Sequence, residues 1–140
     1  MELIRSEQSL SLGEIQEFEK KFNIKLPQEF ITLYMKYNGG RPTHQFYNGY
    51  EISFFIPIKY GYKSSLIDYK ILSLKDSELL PDGFLPFAHD SGGWYFALDL
   101  NEANYGSVYV IRNDMGDDHP VFVAPSFKEL LEGLTLEDDY

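Results

Sequence analysis

The chain has 140 residues, no cysteine, 16% aromatic residues and a formal net charge of −10. That size suits one compact domain, and the missing thiols exclude disulfide frameworks, cysteine-ligated metal sites and thiol chemistry. Eleven Phe, eleven Tyr and one Trp among 44% hydrophobic residues separate it from disordered chains, in which low hydrophobicity accompanies high charge.

The first periodic segment begins at Ser11, with Glu14 three residues later, the pattern of a capping box. Leu12, Ile15, Phe18 and Phe22 follow as one apolar helical stripe. After Asn23, Leu26-Pro27 opens a second helix in which proline suits the first helical position, and Phe30, Ile31, Tyr34 and Tyr37 form its stripe. Asn38-Gly39-Gly40 ends it with residues that accept left-handed backbone. Extended runs then flank Asn48-Gly49, a hairpin signal because both turn residues take positive φ. Residues 59–83 fit a loop followed by either a short helix or a strand around Leu66 to Leu74.

Four extended runs follow: Phe84 to Ala88, Trp94 to Leu100, Ser107 to Arg112 and Val121 to Ala124. Gly, Asn, Asp and Pro turns bound them, so they predict an antiparallel meander. Alternation is weak in Trp94 to Leu100, as in a central strand covered on both faces. A last helix starts after Ser126, with Glu129 as a second capping-box partner and Phe127, Leu130, Leu131 and Leu134 as its stripe; Gly133 predicts early fraying. The fold class expected is α+β: a single twisted, mainly antiparallel sheet of about six strands, with an N-terminal helix pair and a C-terminal helix packed on one face. One domain covers residues 1–140, its core at about 12–134 and an acidic tail at 135–140.

Catalytic signals are sparse. His44, His89 and His119 are far apart and form no HExxH or HxH arrangement. There is no GxSxG elbow, Walker loop or GxGxxG motif, and Ser91-Gly92-Gly93 lies between strands, where it reads as a hairpin turn. The donor-rich run Asn113 to His119 lacks EF-hand spacing and reads as a solvated turn. Carboxylate pairs such as Asp90 with Asp99 arise readily by chance among 22 acids. The expectation is a protein with no catalytic residues, cofactor or metal.

Charge is distributed unevenly. Residues 1–70 carry nine Lys/Arg against eight Asp/Glu, whereas residues 71–140 carry three against fourteen. Such a half repels nucleic acid, whose binding needs cationic side chains to displace condensed counterions, and attracts a basic protein. The same acids also serve solubility. The N-terminus lacks the cationic start, apolar block and cleavage site of a signal peptide, and Phe54 to Ile58 is too short to span a bilayer. A cytoplasmic protein without membrane contact is expected.

The order of blocks carries a resemblance. Ile15-x-x-Phe18-Glu19, Leu26-Pro27-x-x-Phe30, Tyr34 and Asn38-Gly39-Gly40-x-Pro42 come first. Leu85-Pro86-Phe87-Ala88, Gly92-Gly93, Tyr95-x-x-Leu98-Asp99, Val108-Tyr109 and Ser126-Phe127-x-x-Leu130-Leu131 follow. Over about residues 12–134 this resembles the SUKH superfamily, which includes fungal cell-wall assembly regulators of the Smi and Knr type. The resemblance implies an α+β fold with no established catalytic residues. Many similar bacterial proteins are immunity proteins that bind polymorphic toxins, often nucleases or nucleic-acid deaminases, and a stand-alone domain of 140 residues looks more like these.

Two functions are therefore expected as alternatives. The first is a non-enzymatic immunity protein that binds a cognate, basic toxin domain and occludes its active or substrate-binding surface. The second is a regulatory or scaffolding module that binds a cellular protein or small ligand through a pocket between sheet and helices. For the first, the partner-binding residues expected are Asp90, Trp94, Tyr95, Asp114, Asp117 and Asp118, on neighbouring turns of the meander. Asp99, inside a strand, is expected to serve the fold.

Overall fold

Ser11 caps the first helix as its spacing predicts: its hydroxyl accepts from Glu14 N at 3.2 Å, and the Glu14 carboxylate accepts from Ser11 N at 3.0 Å. The helix, α1, runs Leu12–Phe22 and ends at Asn23, whose φ of 52° lets its N–H reach back to Glu19 and Lys20. Ile15 and Phe18 are buried, but Leu12, the first residue of the helix, is 44% exposed. The second helix, α2, is Gln28–Lys36, and Pro27 is its N-cap, one place before the position expected.

The computed structural model describes residues 1–137, so Asp138 to Tyr140 of the expected acidic tail lie outside the described residues. Strands β1 (Leu3–Ile4) and β2 (Arg41–Pro42) pair antiparallel, which brings in N-terminal residues that precede the expected core. Strands β3 (Phe46–Tyr47) and β4 (Tyr50–Glu51) form the hairpin around Asn48-Gly49, with φ of 49° and 83°. The main sheet has five strands in the order β5 (Phe54–Phe55), β6 (Phe84–His89), β7 (Tyr95–Asp99), β8 (Val108–Ile111) and β9 (Val121–Ala124), antiparallel throughout. About six strands in one sheet thus resolve into five plus two small pairs. The ambiguous stretch becomes α3, Ile67–Asp76, whose Ile67, Ile71 and Leu74 are buried.

The last helix, α4 (Phe127–Gly133), is N-capped by Ser126, which accepts from Glu129 N at 3.1 Å. The helix ends at Gly133, short of Leu134, and Gly133 is also a close approach: a Cβ there would fall 2.6 Å from the Tyr47 ring. Thr135, expected in the tail, exchanges backbone hydrogen bonds with Phe46 at 2.8 and 3.1 Å.

Strand β7 is central, as its weak alternation predicts. On the face carrying Phe55, Ala88 and Phe96, α2 and α4 contribute Phe30 and Phe127; their rings lie 5.2 Å apart and also meet Phe87. Tyr34 stacks on Phe30 at 4.3 Å and, fully buried, donates from its hydroxyl to Ile56 O at 2.7 Å. Helix α3 approaches the other face, where Lys70 Nζ lies 5.7 Å from the Tyr95 ring. Helices therefore cover both faces rather than one. The pattern of residues 59–83 admits two structures, and only packing against the sheet selects the helix.

Asn38-Gly39-Gly40 is more than a helix stop. Asn38 is 1% exposed; its Nδ2 donates to Gln8 O at 3.0 Å and Lys59 O at 2.7 Å, and its Oδ1 accepts from Ile58 N at 3.0 Å. A Cβ on Gly39 would sit 2.7 Å from Pro57 N and 2.8 Å from Phe55 O, so only glycine allows the approach. Asn38→Ala should lower unfolding free energy by about 3 kcal/mol, since the buried Ile58 N–H and the part-buried carbonyls of Gln8 and Lys59 lose their partner; denaturant titration measures it.

Glu14 also fastens α1 to the loop after β5. Its carboxylate accepts from the Tyr60 hydroxyl and pairs with Lys59 Nζ at 3.0 Å. The Tyr60 hydrogen bond, then the Ser11 amide, then Lys59 lower its pKa from 4.5 to about 2. A depressed folded value makes this contribution complete above about pH 4.5 and lost as pH falls toward 2. Stability measured across that window should fall less steeply in Glu14→Gln than in the parent.

Candidate protein interface at one end of the sheet

An antiparallel meander sends alternate turns to opposite ends, so the β6–β7 and β8–β9 turns share one end. Asp90 shapes the first. Its Oδ1 accepts from Gly92 N at 2.9 Å and Trp94 N at 2.8 Å, while its own N–H donates to Trp94 O at 3.0 Å. The turn is the hairpin that Ser91-Gly92-Gly93 predicts. Glu51 of β4 accepts from Ser91 N and Oγ at 3.0 and 2.7 Å, tying the small hairpin to this end.

Trp94 bridges the two turns. Its Nε1 donates to Asp114 at 2.6 Å, and the guanidinium of Arg112 lies 5.6 Å from its ring. Arg112 in turn holds Asp117 in a two-pronged pair, Nε to Oδ2 at 2.7 Å and Nη2 to Oδ1 at 3.0 Å. That hydrogen bond keeps the Asp117 carboxyl below the ordinary carboxylate range and raises Arg112 above its own. Asp90, Trp94, Asp114 and Asp117 thus form one connected surface of half-buried and exposed groups around an indole.

The other two expected residues lie apart from that chain of contacts. Tyr95 follows Trp94 on a strand, so it points to the opposite face, beside His89 at 6.2 Å and under Lys70 of α3. Asp118 is exposed on the β8–β9 turn and lines a cleft with Glu78, Leu80 and His119. Arg112 and Glu51 join this surface beyond the six expected residues. Arg112 was findable as one of only three cations after residue 70; Glu51 was not, because its partner is forty residues away.

The acids of the second half do not form one face. Asp82 and Glu102 belong to turns at the other end of the sheet, and Glu129 and Glu132 lie on α4. Asp99 is 5% exposed and accepts from Asn101 N and Nδ2, both at 2.9 Å, to shape the turn after β7, so it serves the fold. Nor is there room between the sheet and α2 and α4: Phe30, Tyr34, Phe55, Phe87 and Phe127 fill it. An open groove of about 460 Å³ lies between α2 and α4, lined by Thr32, Leu33, Tyr37 and Leu131. Among the described residues, no three His, Asp or Glu side chains gather to hold a metal ion, and no helix is long and apolar enough to cross a membrane.

A five-stranded antiparallel sheet between helices, with polar turns gathered at its ends, defines an α+β domain. The chain belongs to the SMI1 / KNR4 family (SUKH-1), whose family model matches residues 9–133. No curated protein matches the sequence. The family segment begins before α1 and ends at the last residue of α4.

Asp90→Ala should destabilise the β6–β7 hairpin by about 1–2 kcal/mol, because two backbone donors lose their acceptor. Thermal unfolding of the variant checks this.

Proposed function

We propose that this protein is a non-enzymatic immunity protein. It binds a cognate polymorphic toxin, a basic nuclease or nucleic-acid deaminase domain, in the cytoplasm and occludes its active or substrate-binding surface. One observation carries the proposal: a single end of the sheet presents Asp90, Asp114, Asp117 and Asp118 on two turns joined through Trp94. An indole within a rim of carboxylates is suited to protein recognition, since aromatic side chains supply contact area and the acids supply complementarity. An enzyme that grips a phosphate backbone is basic, so an acidic inhibitor is steered toward the same groove. Membership of the SUKH-1 family supports a module that acts through a protein partner.

The pairings on this surface refine which acids do the steering. Asp117 is neutralised by Arg112, whereas Asp114 accepts from the neutral indole N–H, and neither Asp114 nor the exposed Asp118 makes an ion pair among the described residues. Asp90, Asp114 and Asp118 therefore carry the un-neutralised charge toward the partner, and of these Asp114 and Asp118 can be changed without loss of the Asp90 turn. Co-expression with a toxin domain encoded beside this gene should yield a stable complex and restore growth. A toxin that still kills without forming a complex overturns the reading, and a regulatory or scaffolding role would then take its place. Asp114→Asn with Asp118→Asn should slow association about threefold to tenfold at low salt and flatten its salt dependence. Stopped-flow association at several salt concentrations measures both.

A further inference from the structure

We propose that the cleft between the C-terminal end of α3 and the β8–β9 turn is the anchor pocket for one arginine side chain of a basic protein partner. This deepens the binding function proposed above and rests on it. The cleft holds about 270 Å³. Its floor is apolar and belongs to the core: Leu80 is 8% exposed and Ile111 3%. Pro81 and Pro120 line it as well, giving flat apolar surface along which an aliphatic stem and the face of a guanidinium can lie.

Its charges select the occupant. Arg112 and Asp117 neutralise each other on the β8–β9 wall, beside His119, leaving Glu78 and Asp118 as exposed carboxylates with no ion pair among the described residues. Two carboxylates above an apolar floor favour a cation with a long apolar stem and repel an anion. Arginine fits better than lysine, because its planar, weakly hydrated head gives up less solvation in a half-closed site and offers several donors in a fixed fork to the carboxylates that line it.

Glu78 is held in this position against local preference. It follows Ser77, the C-cap of α3, at φ 59°, where glycine or asparagine is favoured, and its charge opposes the negative end of the helix dipole. A residue chosen for the turn alone would be glycine. The carboxylate it places over the cleft supplies a reason for Glu78 that the turn itself does not.

The test titrates the ¹⁵N-labelled full chain at low salt with N-acetyl-arginine methylamide, its neutral isostere N-acetyl-citrulline methylamide, and N-acetyl-lysine methylamide. Saturable amide shifts should centre on Glu78 to Leu80, Ile111 to Arg112 and Asp117 to His119, with at least tenfold weaker response to citrulline and weaker response to lysine. Glu78→Gln with Asp118→Asn should weaken arginine binding at least tenfold. Glu78→Gly should raise the melting temperature while weakening binding, which separates loss of the site from loss of the fold. Equal responses to citrulline, shifts spread equally over Asp82 and Glu102, or binding unchanged in the double variant overturn the proposal. The two readings fail separately. A toxin complex unaffected by the double variant removes the anchor and leaves the immunity function; arginine binding without any toxin complex removes the function and leaves the cleft.

Discussion

The fold depends on one buried amide. Asn38 follows α2 and uses both polar atoms of its side chain on backbone groups that have no strand or helix partner of their own: Gln8 O, Ile58 N and Lys59 O. Its own carbonyl accepts from Glu7 N at 3.1 Å. The next two residues continue the seam, with Ser6 Oγ donating to Gly39 O at 2.7 Å and Gly40 exchanging hydrogen bonds with Phe55. The N-terminal segment, the end of α2 and the edge strand β5 are thereby joined at one point. A buried polar group is costly unless every partner is present, so this seam permits one arrangement of the three segments and penalises others.

The aromatic core makes that arrangement stable, and the seam makes it specific. Phe30, Tyr34, Phe55, Phe87 and Phe127 fill the space between sheet and helices, and each buried ring contributes about 2–3 kcal/mol through the area it removes from water. Filling that space leaves no ligand pocket there. Polar groups gather instead at the sheet end, where short turns carry them on a rigid frame. There Trp94 and Arg112 convert two separate turns into one surface, because the first donates to Asp114 and the second holds Asp117.

The parts of this site legible in the sequence were those set by short-range rules. Ser91-Gly92-Gly93 predicts a hairpin turn, which Asp90 closes, and Asn113 to His119 predicts a solvated turn; both are found. Antiparallel topology then brings the two turns to the same end. Side-chain direction was legible only by alternation, which separates Tyr95 from Trp94 onto the opposite face. The long-range partners Glu51 and Glu78 were not legible, since neither lies in a motif and each meets the sheet end only through tertiary packing.

Taken alone, the sequence determined the N-terminal helix pair, the Asn48-Gly49 hairpin, the central position of β7 and the Ser126-capped C-terminal helix. These follow from local geometry: capping hydrogen bonds span three residues, glycine takes positive φ, and apolar periodicity declares which side of an element is buried. Only the tertiary structure decided that residues 67–76 are helical, that Gly133 admits Tyr47, that Asn38 is a hub rather than a simple helix stop, and that the acids divide between the two ends of the sheet and α4. Each of those depends on which distant backbone or ring arrives beside the residue. Net charge, a sum over the chain, carries no information about where antiparallel strands place its members in space.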